Sequence, residues 1–168
     1  KGIDELIDAY AKLSSEVENV RLVIVGREEP LTDPISNHSQ VILKNNSGIV
    51  CTGFMDDIRP SLGASNCLIL ASYREGFPNV VMQAACVNIP SIVSNINGCN
   101  EIIQDGSNGL VVEPKSADAL YYAMKRLESD RGLLSDLAAK SRHSVVEKYD
   151  REKFHKIILA EYRDILDI

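Results

Sequence analysis

The sequence predicts an α/β domain built on a doubly wound parallel sheet, with helices on both faces of the sheet. Short apolar runs alternate along the chain with longer stretches of helical periodicity. The apolar runs, of which Cys67–Ala71 is an example, lack the polar–apolar alternation of a half-exposed strand. Continuous apolar strands separated by helices are typical of parallel sheets that are covered on both faces.

Each predicted strand is a short apolar run, and a turn residue closes most of them. Gly26 follows the first run, Gly53 follows the second, and a turn containing Gly and Pro follows the third. The predicted strands are Val20–Val25, Ile49–Thr52, Cys67–Ala71, Pro90–Ser94 and Leu110–Val112.

Helices are predicted where apolar residues recur every three or four positions, or where a capping residue opens such a stretch. Asp56 and Ser116 are the expected N-caps of two of them. The predicted helices cover Ile3–Val17, a stretch near Pro34–Asn45, Asp56–Ala64, Asn79–Val87, Glu101–Gln104, a stretch after Ser116 and Leu133–Tyr149. A last helix carries Phe154, Ile157, Ile158, Tyr162, Ile165 and Leu166 in register.

The main domain is expected to span residues 1–150, and residues 151–168 are expected to form a helical C-terminal tail. The first helix begins almost at once, because Lys1-Gly2 leads directly into its apolar stripe. We therefore expect the chain to be a fragment that begins after the strand that would open this fold.

Composition bounds the class of protein. With 168 residues, 45% of them hydrophobic, the chain is long enough for one domain with a core. The net charge of −6 and the lack of a Lys/Arg stripe argue against a nucleic-acid partner.

The cysteines lack C-x-x-C spacing, and Cys51, Cys67 and Cys86 lie in apolar runs, so we expect buried thiols in a reducing compartment. No signal peptide and no run of 18 apolar residues is present, which predicts a cytoplasmic location.

The candidate site is the turn and helix start after the third strand, in the segment Ser72–Ala85. Backbone N–H groups at a helix N-terminus attract anions. One acid, Glu75, lies in this turn, where it either caps the helix or accepts hydrogen bonds from neutral hydroxyls beside a bound phosphate. Gly26, Gly53 and the Asn95–Gly98 loop follow other strands, so all four turns are expected at one edge of the sheet.

This segment resembles the donor-site signature of retaining GT-B glycosyltransferases, in the branch that builds surface polysaccharides. That signature has Glu-Gly-Phe, a helix start and a second Glu eight positions after the first, where this chain has Gln83. An ordered series of further blocks is similar to the same family: Lys1-Gly2, Leu22–Gly26, Val50–Met55, Ile89–Ser94 (with Asn88 in place of Gly), Gly98–Ile103 and Asn108–Val112. The resemblance implies the Rossmann-like C-terminal half of a GT-B enzyme.

The resemblance also implies roles for single residues. Glu75 would be the catalytic-site acid that holds the transferred sugar, and Gln83 would hold the ribose. Lys1 would contact the diphosphate, and Met55 the nucleobase. The remaining donor-binding positions would act mainly through their backbone: Gly26, Gly53, Gly76, Phe77, Pro78, Asn79 and Val80.

The implied activity is transfer of a hexosyl or N-acetylhexosaminyl group, with retention, from a UDP-sugar to a glycan or lipid-linked acceptor. The acceptor would bind an N-terminal domain that residues 151–168 brace, so this fragment is expected to bind donor without transfer. The full enzyme would be cytoplasmic, with peripheral association at the inner face of the membrane as an option.

No Asp-x-Asp occurs and His38, His143 and His155 are scattered, so we expect neither a metal nor a cofactor. The alternatives are a nucleotide-sugar epimerase of GT-B architecture and a non-catalytic nucleotide-sugar-binding module.

Overall fold

The computed structural model describes residues 1–29 and 33–166, and it confirms the predicted α/β class. The strands are β1 (Leu22–Val25), β2 (Ile49–Gly53), β3 (Leu68–Leu70), β4 (Ser91–Ser94) and β5 (Gly109–Val112). The helices are α1 (Ile3–Glu16), α2 (Asn37–Asn45), α3 (Arg59–Gly63), α4 (Asn79–Cys86), α5 (Cys99–Ile102), α6 (Ala117–Ser129), α7 (Arg131–Tyr149) and α8 (Arg151–Leu166). The last two residues of the predicted tail, 167–168, lie outside the described residues.

All pairings between the described strands are parallel, and they form two sheets. Strand β1 pairs with β2, with a register shift between Ile24 and Val25. The second sheet has the order β3-β4-β5. Because every pairing is parallel, the turns that follow the strands of each sheet lie at that sheet's carboxyl edge.

Helices cover both faces of the three-stranded sheet. On one face Ile69, Ile92 and Leu110 pack in a core with α1 and α6. On the other face Leu70, Val93 and Val111 lie in a second core with side chains of α4, α5 and α7, such as Val81, Cys99 and Val145. Successive residues of each strand therefore enter opposite cores, which explains why consecutive positions such as Ile92 and Val93 are both apolar.

Helix α1 contacts both sheets. At its start Gly2 (φ 70°) packs so closely on the Ala71 carbonyl oxygen that a Cβ would lie 2.0 Å from that oxygen. In its middle the Tyr10 hydroxyl lies 3.0 Å from the carbonyl oxygens of Val20 and Gly48, just before β1 and β2. These contacts place α1 beside β3 at one end and beside the β1–β2 sheet at the other.

The capping predictions had mixed outcomes. Ser116 caps α6 as predicted, because its hydroxyl accepts a hydrogen bond from the Ala119 N–H. The Asp56 cap is wrong: α3 begins later, at Arg59, and the neighbouring Asp57 accepts from the Arg59 N–H at 3.0 Å. The same Asp57 carboxylate pairs with the Arg59 guanidinium, whose hydrogen bonds lower the pKa of Asp57 to about 2. This side-chain pairing explains why Asp57, and not Asp56, orders the turn.

The prediction of buried thiols is wrong for two cysteines. Cys51 and Cys86 are exposed, Cys67 is half-buried and Cys99 is buried. Cys51 lies on β2, most of whose residues remain exposed, and Cys86 is the last residue of α4. An apolar neighbourhood in sequence did not bury these thiols, because only one face of β2 and of α4 meets a core.

Helix α8 has a different environment from the others. None of its described residues is buried, and its apolar stripe, including Phe154, Tyr162 and Ile165, is exposed. Among the helices of the described residues, none combines the length and the apolarity needed to cross a bilayer.

Candidate functional site

The candidate site is built around the loop between β3 and α4, residues 71–78, called the β3–α4 loop below. The loop begins on buried Ala71 and Ser72, and exposed Tyr73 and Arg74 follow. Half-buried Glu75, exposed Gly76 and Phe77, and buried Pro78 complete it. The loop therefore has a fixed base inside the domain and a solvent-facing tip that a ligand can reach.

Glu75 is held by a serine from the base of the loop. The Ser72 hydroxyl donates a hydrogen bond of 2.6 Å to Glu75 Oε1, a length typical of a charge-assisted bond. Burial, and then the nearby Glu75 carboxylate, raise the pKa of the Cys99 thiol to about 11. The Glu75 carboxylate is therefore near Cys99, the first residue of α5.

The start of α4 leaves backbone donors open beside Glu75. Pro78 occupies the N-cap position, and the helix begins at Asn79. Within residues 1–29 and 33–166, no acceptor is found for the N–H groups of Phe77, Asn79 and Val80. These donors, together with the positive end of the helix dipole, favour an anion at this position.

The start of α5 packs against the β3–α4 loop. Gly98 (φ 81°) lies against Gly76, where a Cβ would be 2.3 Å from the Gly76 carbonyl oxygen and 3.2 Å from Pro78 Cδ. The Gly98 N–H donates to the Glu101 carboxylate at 3.2 Å, which caps α5. The β3–α4 and β4–α5 turns are thus in direct contact, as the parallel topology requires.

A second contact joins the loop to α1. The Tyr73 hydroxyl donates to Glu5 at 2.6 Å, and burial, followed by this carboxylate, raises the pKa of Tyr73 to about 12. Gly2 covers the Ala71 carbonyl, so Lys1 lies next to the base of the loop. The Lys1 side chain is exposed, and its backbone amine lies 2.8 Å from Asp33.

The turns after β1 and β2 lie side by side. The Gly26 N–H donates to the Gly53 carbonyl at 2.9 Å, and both glycines have positive φ with open space around them. Beyond them the Arg27 guanidinium lies 4.8 Å from the centroid of the exposed Phe54 ring. Met55 is half-buried, and its Sδ accepts a hydrogen bond from Ser61 of α3. The ring presented to solvent here is therefore that of Phe54, next to the predicted contact residue Met55.

Gln83 is exposed on α4, whose buried residues are Val81, Ala84 and Ala85. Its predicted contact with a ribose stays a prediction.

Among the described residues, no group of three or more His, Cys, Asp or Glu side chains is placed to hold a metal ion. A groove of about 680 Å³ lies elsewhere, at the amino ends of β1 and β2, where it is lined by residues such as Tyr10, Ser14 and Asn46.

A scan against protein-family models identifies the family. The model described as "Glycosyl transferases group 1" matches residues 1–144. The chain belongs to the group 1 glycosyltransferases. Its family and fold thus agree with the resemblance seen in the sequence.

Curated relatives of the chain include glycosyltransferases of capsular polysaccharide and lipid-linked glycan synthesis. The chain is 25% identical over 166 residues to the capsular polysaccharide biosynthesis glycosyltransferase CapM of Staphylococcus aureus, covering 99% of this chain and 43% of CapM. It is 30% identical over 128 residues to a UDP-Gal:alpha-D-GlcNAc-diphosphoundecaprenol alpha-1,3-galactosyltransferase of Escherichia coli, covering 76% of this chain and 33% of that enzyme. The chain thus spans less than half the length of these relatives.

A solved structure matches the chain as a domain. The C-terminal domain of the group 1 glycosyltransferase LpcC from Francisella tularensis superposes with a TM-score of 0.82 at 26% identity. The match covers 90% of this chain and 80% of that domain. The fold described above is therefore that of a group 1 glycosyltransferase C-terminal domain.

Sequence reasoning placed Ser72, Gly98 and Phe54 within the candidate segments but assigned no role to any of them. Ser72 stands three positions before Glu75, a spacing at which a serine hydroxyl reaches a carboxylate across a turn, so a local signal existed. Phe54 directly follows the turn glycine Gly53, another local signal. Gly98 had no such signal, because its close contact with Gly76 depends on the pairing of β3 with β4.

Proposed function

We propose that this chain is the donor-binding domain of a retaining group 1 glycosyltransferase that uses a UDP-sugar. The observation that carries the proposal is the β3–α4 loop, which combines the Ser72-held Glu75 with open N–H groups at the start of α4. The acceptor would be a glycan or a lipid-linked sugar, bound by a preceding domain. The relatives in capsule and lipid-linked glycan synthesis support this choice of acceptor. For such an acceptor the full enzyme would work at the cytoplasmic face of the membrane.

The two features of the loop suit the two parts of the donor. A diphosphate would lie at the N-terminus of α4, where the Asn79 and Val80 N–H groups and the Lys1 ammonium offset its charge. The sugar hydroxyls would lie beside Glu75, because a carboxylate accepts hydrogen bonds from neutral hydroxyls. Gln83, one helical turn further along α4, would reach the ribose.

In the proposed reaction the bond between the anomeric carbon and the diphosphate oxygen breaks, and a bond to the acceptor oxygen forms on the same face of the sugar. The acceptor proton leaves with the diphosphate. Donors aimed at the leaving oxygens stabilise the charge that develops there. Because backbone N–H groups and Lys1 have this role, we propose that no metal is needed, and transfer by the full-length enzyme should survive EDTA.

Calorimetry with UDP and with inorganic phosphate tests the donor site. We expect this chain to bind UDP, weakly, and to bind phosphate less well, because phosphate lacks the ribose and the base. The chain alone should neither hydrolyse nor transfer the sugar of a UDP-sugar. Equal affinity for UDP and phosphate would contradict the proposal, and an isomerised sugar nucleotide would indicate the epimerase alternative.

Two variants separate the roles of Glu75 and Gln83. Glu75→Ala should weaken binding of a UDP-sugar by about tenfold to a hundredfold, the effect of losing a charged hydrogen bond, and leave UDP binding unchanged or slightly tighter. Gln83→Ala should weaken both ligands by similar factors, because both carry the ribose. If Glu75→Ala harms UDP as much as UDP-sugar, Glu75 does not hold the sugar.

A further inference from the structure

We propose that Ser72 is a positioning residue, which holds the Glu75 carboxylate in the orientation that receives the donor sugar. The inference rests on the proposed role of Glu75, and it adds a residue that itself touches no ligand. Its effect should therefore appear only through Glu75, and only with ligands that carry the sugar to be transferred.

Ser72 is fixed in place before any ligand binds. Its side chain is 3% exposed, and the preceding Ala71 is also buried. Gly2 packs directly on the Ala71 carbonyl oxygen, so the start of α1 holds the backbone from which the Ser72 hydroxyl projects. A donor on such a rigid base can fix a side chain that would otherwise sample several rotamers.

The hydrogen bond engages only one of the two carboxylate oxygens of Glu75. A serine hydroxyl has one proton, and Ser72 donates it to Oε1 of Glu75 at 2.6 Å. Within the described ranges, 1–29 and 33–166, no other side chain or backbone N–H donates to this carboxylate. Oε2 is therefore left for a ligand hydroxyl, while the Oε1 bond sets its direction. Since Glu75 makes no ion pair in the described residues, Ser72 is the group there that orients it.

Ser91 on β4, the strand that pairs with β3, provides a matched comparison. It is 1% exposed, and its hydroxyl has no hydrogen-bond partner among the described residues. The fold thus accepts a buried serine whose hydroxyl makes no hydrogen bond within the described residues. Ser72 differs because its hydroxyl donates to Glu75, the one acid of the β3–α4 loop. This contact favours a role in the site over a role in packing.

The test compares affinities for UDP, UDP-galactose and UDP-N-acetylglucosamine by calorimetry on the full 168-residue chain. Ser72→Ala should weaken binding of the UDP-sugars by about threefold to tenfold, because Glu75 must then be ordered when the ligand binds. Binding of UDP alone should not change. Ser91→Ala, the matched control, should change neither.

Ser72→Cys keeps the shape of the side chain, with a slightly larger terminal atom, but offers only a weak S–H donor, so it should behave like Ser72→Ala. It keeps the test valid if the alanine variant unfolds. In the Glu75→Ala background, Ser72→Ala should cause no further loss, because the carboxylate that it orients is gone.

The outcomes distinguish this inference from the proposed function. Equal weakening of UDP and UDP-sugars by Ser72→Ala, or an unchanged loss in the Glu75→Ala background, would show a merely structural role and overturn it. No effect of Ser72→Ala while Glu75→Ala weakens UDP-sugar binding would also overturn it, but leave the role of Glu75 intact. No effect of Glu75→Ala would remove the proposed role of Glu75, and the role of Ser72 with it.

Discussion

Helices α1 and α8 are both amphipathic, but only α1 buries its apolar stripe. The buried residues of α1 are Leu6, Ile7, Ala9, Tyr10 and Leu13, whereas no described residue of α8 is buried. Helix α1 packs on α6 and on both sheets, while α8 follows α7 and leaves the domain surface. An apolar stripe therefore predicts that a helix has an apolar face, but it does not identify the partner of that face.

The difference bears on the proposed preceding domain. Exposed apolar patches of this kind are typical of interaction surfaces. Our expectation that α8 braces a preceding domain stays a prediction. Matched substitutions, one in each helix, test whether the two apolar stripes differ in this way.

The largest difference in stability between an α1 variant and its α8 counterpart is expected when an isoleucine is truncated to alanine. Ile7→Ala should lower the free energy of unfolding by about 2–5 kcal/mol, because Ile7 is fully buried and a cavity remains. Ile165→Ala in α8 should change it by less than about 0.5 kcal/mol, since Ile165 is 73% exposed. Urea unfolding followed by circular dichroism measures both. A large loss for Ile165→Ala would mean that α8 packs on a surface in solution.

A smaller difference is expected for the tyrosine hydroxyls. Tyr10→Phe removes the donor shared by the Val20 and Gly48 carbonyls and should cost about 1–3 kcal/mol. Tyr162→Phe in α8 should be neutral, because Tyr162 is exposed. The same urea titrations apply. If the two variants were equally stable, the Tyr10 contacts would not hold α1 on the β1–β2 sheet.

The smallest difference in stability is expected when a glutamate of each helix is replaced by glutamine. Hydrogen bonds from Lys125, and then from Tyr121, hold the pKa of Glu16 below its ordinary value near 4.5. A carboxyl whose pKa is lower in the folded state stabilises the fold above that ordinary value, and the contribution is lost as the pH falls through the folded-state pKa. Glu16→Gln should therefore flatten the loss of stability below pH 4.5. The effect should be modest, since the pair is solvent-exposed.

Glu161→Gln, on exposed α8, is the control for this pH series. Urea midpoints measured from pH 3 to pH 7 (a range of about four units around the ordinary carboxyl pKa) should follow the parent protein. If Glu161→Gln flattened the curve as much as Glu16→Gln, the α1–α6 ion pair would not be its cause.

The site could be predicted in part because it is local in sequence. Glu75, Gly76 and Asn79 lie in one loop and helix start, so a strand–turn–helix pattern was enough to place them together. Ser72 belongs to the same loop, and its spacing of three residues from Glu75 was a local signal, but its burial could not be predicted from that spacing. The wrong prediction for Cys51 and Cys86 has a related cause, since burial depends on which face a neighbouring element covers.

The sequence alone determined the class of fold and the order of its elements, because periodicity and turn residues act over a few neighbouring positions. It also determined the family, through blocks whose order survives at low identity. Only the tertiary structure decided which turns meet: Gly98 beneath Gly76, and Gly2 on Ala71. Such contacts arise from strand pairing and helix packing between distant segments, and local propensity carries no information about them.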